Sequence, residues 1–225
     1  EKTIEIINQI GPDNIAGVCL ESVTARNGVY ILPRAWIAGL KFIQSKYDIK
    51  IIFDEVVCGF CRTGKKFGFQ HYDILPDIVC LGKAISNGYC PLGATFFSAE
   101  IIKEYGERSF ISGLTNYAHP LSLSSFIGVS KIISSNKFKT NLSKNQQILD
   151  DWIRSISPFI EESRGIGFLH AIELSKEISI QSLYSNGICI AAQDKTLILC
   201  PVLTTSSKKF EKDLDKLGVY LRKLL

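Results

Sequence analysis

Two charged residues stand where apolar runs end. In IIFDEVVCGFCRTG, Asp54 closes a β-branched run and precedes a Gly-containing turn. In DIVCLGKAISNGY, Lys83 follows a second apolar run and a Gly. In open α/β sheets, ligands bind beyond the carboxyl ends of the strands. A carboxylate and an amine delivered to that same edge are candidates for a site, with two charges that simply leave the sheet and meet water as the plain alternative. Cys58-Gly-Phe-Cys61 is a CxxC, the spacing of a redox pair or half a zinc site. No second CxxC follows and His71 fits no finger spacing, so neither a metal nor a redox role is expected. His71, His119 and His170 are dispersed and no GxSxG occurs, which leaves hydrolase chemistry without support. Ser86-Asn87-Gly88 has the composition of a phosphate cradle.

The elements that would position this pair alternate. Residues 1–10 are patterned as a helix, 16–21 as a buried strand, and 33–48 as a helix begun by Pro33. Three more strand-like runs follow at 49–55, 76–82 and 93–98. A helix capped by Ser98 runs over 98–107, and a long apolar helix over 121–136. Such alternation predicts a mostly parallel sheet flanked by helices, with strands covered on both faces. The texture changes near 137–145. From there a polar helical stretch (137–163), strands at 167–174, 183–191 and 196–203, and a terminal amphipathic helix (205–225) predict a small α+β domain. The expected division is therefore 1–140 and 141–225.

Composition narrows the class. The 225 residues are 46% hydrophobic and 21% charged, with formal net charge +4. The charges are scattered, so neither a nucleic-acid nor a membrane partner is indicated. No apolar run approaches the ~18 residues of a membrane span. Seven cysteines, an odd number, without a secretory pattern fit a reducing, cytoplasmic setting. The chain contains no Met.

The segment IIFDEVVCGFCRTGKKFGFQHYDILPDIVCLGKAISNGYCPLGATFFS resembles the central block of class III pyridoxal-phosphate-dependent aminotransferases, the ornithine, 4-aminobutyrate and omega-amino-acid type. AGVCLESV, SGLTNYAHPLSLSS, SRGIGFLHAIEL and LILCPVLT extend the likeness in register over most of the chain. The resemblance implies a fold-type I transferase whose cofactor is pyridoxal 5'-phosphate and which moves an amino group from an amine donor to a 2-oxo acid. It implies that Lys83 carries the cofactor as a Schiff base and that Asp54 pairs with its pyridine nitrogen. Val57 stands where many relatives have a Gln beside the cofactor's phenolic oxygen. Thr115 would reach the phosphate held by a neighbouring subunit, implying a homodimer. Gly59, Arg62, Gly64, Gly88 and Gly93 match positions expected to be structural. The likeness also implies an upstream half, with a phosphate-binding turn and a stacking aromatic ring, that these residues do not contain.

Departures bear on the substrate. Cys61 replaces a common Gly. Ile198 stands where many relatives have the Arg of an Arg-x-x-Pro-Pro-Leu pattern, which grips the substrate carboxylate. Arg26 stands where the Glu that pairs with that Arg is found. Arg26 is therefore a candidate for the carboxylate grip, with an exposed loop arginine as the plain alternative. A family remnant without turnover, or an aminomutase or decarboxylase on the same fold, remain the other readings of the same residues.

Overall fold

The computed structural model describes residues 2–109 and 113–224, which form two compact units. The first comprises Glu1–Ser22, Leu32–Phe60 and Phe67–Lys131. The second comprises Val23–Ile31, Cys61–Lys66 and Ile132–Leu225.

In the first unit, β1 (Gly17–Glu21), β2 (Lys50–Asp54), β3 (Ile78–Leu81) and β4 (Ala94–Phe97) form one sheet in that order. The first three are parallel and β4 is antiparallel to β3. Helices α1 (Lys2–Ile10) and α2 (Arg34–Tyr47) precede β1 and β2; α3 (Ala99–Tyr105) and α4 (Pro120–Ser134) follow β4. Pro33 opens α2 with its fixed φ, and Asp48 closes it in the left-handed conformation at φ 54°. Ile37, Leu40 and Ile43, spaced three residues apart, pack with Ile51 and Phe53 of β2 and with Ile7 of α1. Burying each such side chain contributes roughly 1.5–3 kcal/mol. Asp77 ties β3 to its neighbour: its carboxylate accepts from Ile51 N at 2.7 Å and Gln44 Nε2 at 2.8 Å.

The expectation of strands covered on both faces is corrected within these residues. Ile51 and Phe53 point into the α1–α2 layer and are buried, but Cys19 on the opposite face is exposed and its register partner Ile52 is only half-buried. Asp54, two residues from Ile52, lies on that open face.

The second unit is built from α5 (Asn136–Ile156), β5 (Glu162–Ile166), β6 (Leu169–Glu173), α6 (Ile180–Ser185), β7 (Ala191–Gln193), β8 (Thr196–Leu199) and α7 (Ser207–Leu224). Its sheet runs β5-β6-β8-β7, antiparallel throughout. Phe138, Leu149 and Trp152 of α5 and Phe210, Leu214 and Leu217 of α7 share one core with the strands. The segment 61–66 is laced into this unit: Arg62 Nη1 donates to Phe168 O at 3.2 Å and Pro201 O at 2.7 Å. Gly167 is obligatory there, because at φ 62° a Cβ would lie 2.2 Å from the carbonyl carbon of Thr63.

Two local expectations differ from the structure. The helix expected over 137–163 ends at Ile156, and 162–166 is a strand. The run 183–191 is not a strand: Ser179 Oγ accepts from Ser182 N and caps the six-residue α6, leaving only 191–193 extended. A helix that short has too few turns for apolar periodicity to register. Among the described residues no helix is long and apolar enough to cross a membrane.

Candidate active site

Asp54 is the last residue of β2, and its register partner in β3 is Cys80, three residues before Lys83. Both charged residues therefore leave the carboxyl edge of two adjacent parallel strands. Asp54 is half-buried; Oδ1 accepts from Val56 N at 2.9 Å, which turns the carboxylate back over its own chain. No ion pair meets it among the described residues.

Lys83 opens a 3-10 turn (Lys83–Ile85) directly after Gly82. It is exposed, its ammonium has no hydrogen-bond or ion-pair partner among the described residues, and its φ of 43° is left-handed. A non-glycine residue held there costs about 1–2 kcal/mol. The loop behind it is pinned. Ser86 Oγ donates to Cys90 O at 2.5 Å, Ser125 Oγ to Ser86 O at 2.9 Å, and Ser122 Oγ to Pro91 O at 2.9 Å. Ser86 is thus spent within the turn rather than left to cradle a phosphate. The hydroxyls of Ser122 and Ser125, on α4, are its anchors.

Glu55, beside Asp54, belongs to the frame. It is fully buried, and its two oxygens accept from Gly68 N and Phe69 N, each at 2.7 Å. These are N–H groups that open the 3-10 turn Gly68–His71. Burial pushes its carboxyl up from the ordinary range, with the two N–H bonds opposing. Tyr72 OH donates to Ser22 O at 2.6 Å and accepts from Leu32 N at 3.3 Å, joining the ends of β1 and α2 to the same turn. Nothing in the order Asp-Glu says which acid faces inward. The signal that could have found Glu55 is the period of two, which puts it on the face of Phe53 and Ile51.

Val57 is half-buried in the turn after β2. Thr115 is exposed in the turn 115–118; Ser112, earlier in its segment, lies outside the described residues. Arg26 lies in the second unit, exposed on the loop 23–31, and Ile198 lies in β8. Cys61 is buried in the second unit's core at φ 72°, a conformation a glycine adopts freely. Burial pushes its thiol up, the opposite of what a redox nucleophile requires. Among the described residues no cluster of three or more His, Cys, Asp or Glu could hold a metal. His119 Nδ1 accepts from Leu121 N at 3.2 Å at the start of α4. His170 is buried with Nε2 3.1 Å from Gly167 O.

The first unit thus has a mostly parallel sheet with an acid and, among the described residues, an unpartnered amine at one strand edge. The donor set suits a ring with a basic nitrogen at one end and an aldehyde at the other. Comparison with known proteins is concordant. The family model for aminotransferase class III matches residues 1–221. The putrescine–pyruvate aminotransferase of Pseudomonas aeruginosa is 30% identical over 97% of this chain and 51% of its own length. A gamma aminobutyrate transaminase of Solanum lycopersicum, a chloroplastic one, is 34% identical over 76% of this chain and 34% of its own. The (S)-enantioselective omega-transaminase of Thermomicrobium roseum superposes with TM-score 0.85 at 26% identity, covering 99% of this chain and 54% of that one. The taurine:2-oxoglutarate aminotransferase of Bifidobacterium kashiwanohense, solved with pyridoxal phosphate and glutamate, gives 0.88 at 25% identity, covering 99% and 55%. The fold is that of the fold-type I transaminases. The chain belongs to the class III aminotransferase family, and it spans about half the length of the curated relatives it matches.

Proposed function

We propose that this chain carries the cofactor-bearing part of an aminotransferase that passes an amino group from an amine or amino-acid donor to a 2-oxo acid. One observation carries the reading. An acid and an unpaired, strained lysine leave adjacent strand ends within a family match spanning nearly the whole chain. Pyridoxal 5'-phosphate would be held by Lys83 through its aldehyde carbon and by Asp54 at the ring nitrogen, with Val57 beside the ring's edge. When bound, this cofactor supplies an electron sink for the bond broken at the donor's carbon. Asp54 would keep the ring nitrogen protonated through a charge-assisted hydrogen bond. The released Nζ of Lys83 would take the proton from the amine-bearing carbon and return it at the neighbouring position. Thr115 would bind the phosphate of a partner subunit, which makes the working form a homodimer. Residues up to about 140 would be the later part of the large domain and those from about 141 the small one. Free thiols at all seven cysteines suit a cytoplasmic enzyme.

The substrate's carboxylate would be received by Arg26. The usual arginine is replaced by Ile198, and Arg26 is exposed without an ion-pair partner among the described residues. Relatives that are aminotransferases of putrescine, taurine and 4-aminobutyrate support an amine carried at a chain end.

The test uses the full-length protein. Borohydride should bleach a near-visible absorbance band and fix the cofactor on the peptide containing Lys83, as read by mass spectrometry. Lys83→Ala should show neither. An unlabelled protein, or label on another lysine, would sink the proposal and favour a family remnant without turnover.

A further inference from the structure

The loop 23–31 is fixed from within and from beside. Val23 and Ile31 form an antiparallel bridge. Thr24 N donates to Tyr30 O at 3.0 Å, and Tyr30 N donates to Thr24 Oγ1 at 2.8 Å. Val23, Ala25 and Val29 are buried. Val29 sits at φ 56°, a conformation that a β-branched residue adopts only when its surroundings impose it. Such strain points to a loop whose course is over-determined.

The residue that holds the loop from beside is Arg164 of β5. Its Nε donates to Gly28 O at 2.6 Å, and its guanidinium lies 4.7 Å from the centre of the Tyr30 ring. The same group meets Glu162 at 2.7 Å and Glu173 at 2.8 Å, and the side chain is 13% exposed. Gly28, at φ 97°, leaves room for it: a Cβ there would come within 3.0 Å of Arg164 Nη2. One planar fork thus grips the returning arm of the loop at Gly28 and Tyr30, by a carbonyl and a ring face, and the Thr24–Tyr30 bonds pass that hold to the outgoing arm.

The two arginines at this loop are in opposite states. Arg164 is neutralised by two carboxylates and donates to both of them and to Gly28 O. Arg26, at the exposed tip, has no bond partner among the described residues. We infer that Arg164 is a positioning residue: it fixes the loop 23–31 so that Arg26 is presented, pre-formed, to the carboxylate of the substrate. This rests on the reading of Arg26 given above. A cation held in place before binding loses less freedom on capture than one on a mobile loop.

The experiment compares Arg26→Ala, Arg164→Gln, Arg164→Lys and the Arg26→Ala/Arg164→Gln double variant in the full-length protein. Two readouts are taken: the rate of tryptic cleavage after Arg26, and steady-state kinetics with a carboxylated acceptor and a carboxylate-free amine donor. Arg164→Gln should raise cleavage after Arg26 about tenfold. It should raise the KM for the acceptor about tenfold and leave kcat and the donor KM within about twofold. Arg164→Lys, which keeps the charge but not the flat fork, should fall between. The double variant should be no worse than Arg26→Ala alone, because the clamp acts only through Arg26. Unchanged cleavage in Arg164→Gln, multiplying KM effects in the double variant, or a uniform fall in kcat with both substrates would each overturn the inference. Should Arg164→Gln not fold, Tyr30→Leu removes only the ring face and is read the same way. The Arg26 reading fails separately: an unchanged acceptor KM in Arg26→Ala removes it, while the cleavage arm still reports on the clamp.

Discussion

The two units differ in how completely they bury what they are made of. The second closes on itself. Its two long helices α5 and α7 and its antiparallel sheet enclose one core in which Leu149, Ile156, Leu174, Leu183, Leu197 and Leu221 are all fully buried. The first does not. Its sheet has an open face, and α4, apolar along most of its length, buries only Ser122. Tyr89, Leu114, Tyr117 and Leu121 are 79%, 77%, 72% and 63% exposed. An apolar helix and a sheet face left bare among the described residues form a surface whose chemistry suits being covered. The unit bearing Asp54 and Lys83 is the more open of the two among the described residues, and the second is the more enclosed.

The largest expected break in the comparison is chemical. Lys83→Ala should lower turnover of the full-length enzyme by roughly 10⁴-fold or more, read by amine-donor kinetics. In the cofactor-free protein it should leave thermal unfolding unshifted, since Lys83 makes no hydrogen bond or ion pair among the described residues. A fall in melting temperature would mean that the lysine is part of the frame.

Next comes packing. Trp152→Ala in the second unit should cost about 3–5 kcal/mol in denaturant unfolding, and so should Phe53→Ala in the first. If the second unit is self-sufficient, its loss should be the same in the 225-residue chain and in the full-length protein. Ile127→Glu on α4 should separate the two settings. In the chain alone it should change stability by less than about 0.5 kcal/mol, and in the full-length protein it should cost about 2 kcal/mol or more. Equal small effects in both would show that the α4 face stays bare.

The smallest effects are in pH, and they have opposite signs in the two units. Burial raises the carboxyl of Glu55, so the folded first unit binds its proton more tightly than the unfolded chain does. That contribution is present below the ordinary carboxylate pKa and is lost as pH rises through the raised value. Burial lowers the imidazole of His170, so the folded second unit binds its proton less tightly. That contribution is present above the ordinary histidine pKa of about 6.5 and is lost as pH falls through the lowered value. Hydrogen exchange resolved by segment, followed from pH 4 to 8, should show the two slopes. Glu55→Gln and His170→Phe should flatten one each.

Much of the site was legible because its signals are local. Asp54 and Lys83 each end an apolar run, and a strand that ends in a charge and a glycine announces its own edge. The strand β4 was legible at 93–98, but its antiparallel direction was not, since a four-residue apolar run has no direction. Glu55 was passed over because an acid next to an acid reads as solvent-facing, although the alternation along β2 placed it inside. The lacing of 23–31 and 61–66 into the second unit was invisible, because both lie more than 60 residues from the partners that hold them, Arg164 and Phe168. No pattern in sequence reports a pairing at that separation. Arg164 carried no mark that set it apart from a surface arginine.

The left-handed backbone at Lys83 has a consequence for how the gene is maintained. Glycine at this position would relieve about 1–2 kcal/mol of strain and forfeit no hydrogen bond or ion pair among the described residues. Drift under folding alone would therefore favour losing the lysine. If the amine does what is proposed above, the strain at Lys83 is the stability that the chain gives up for it.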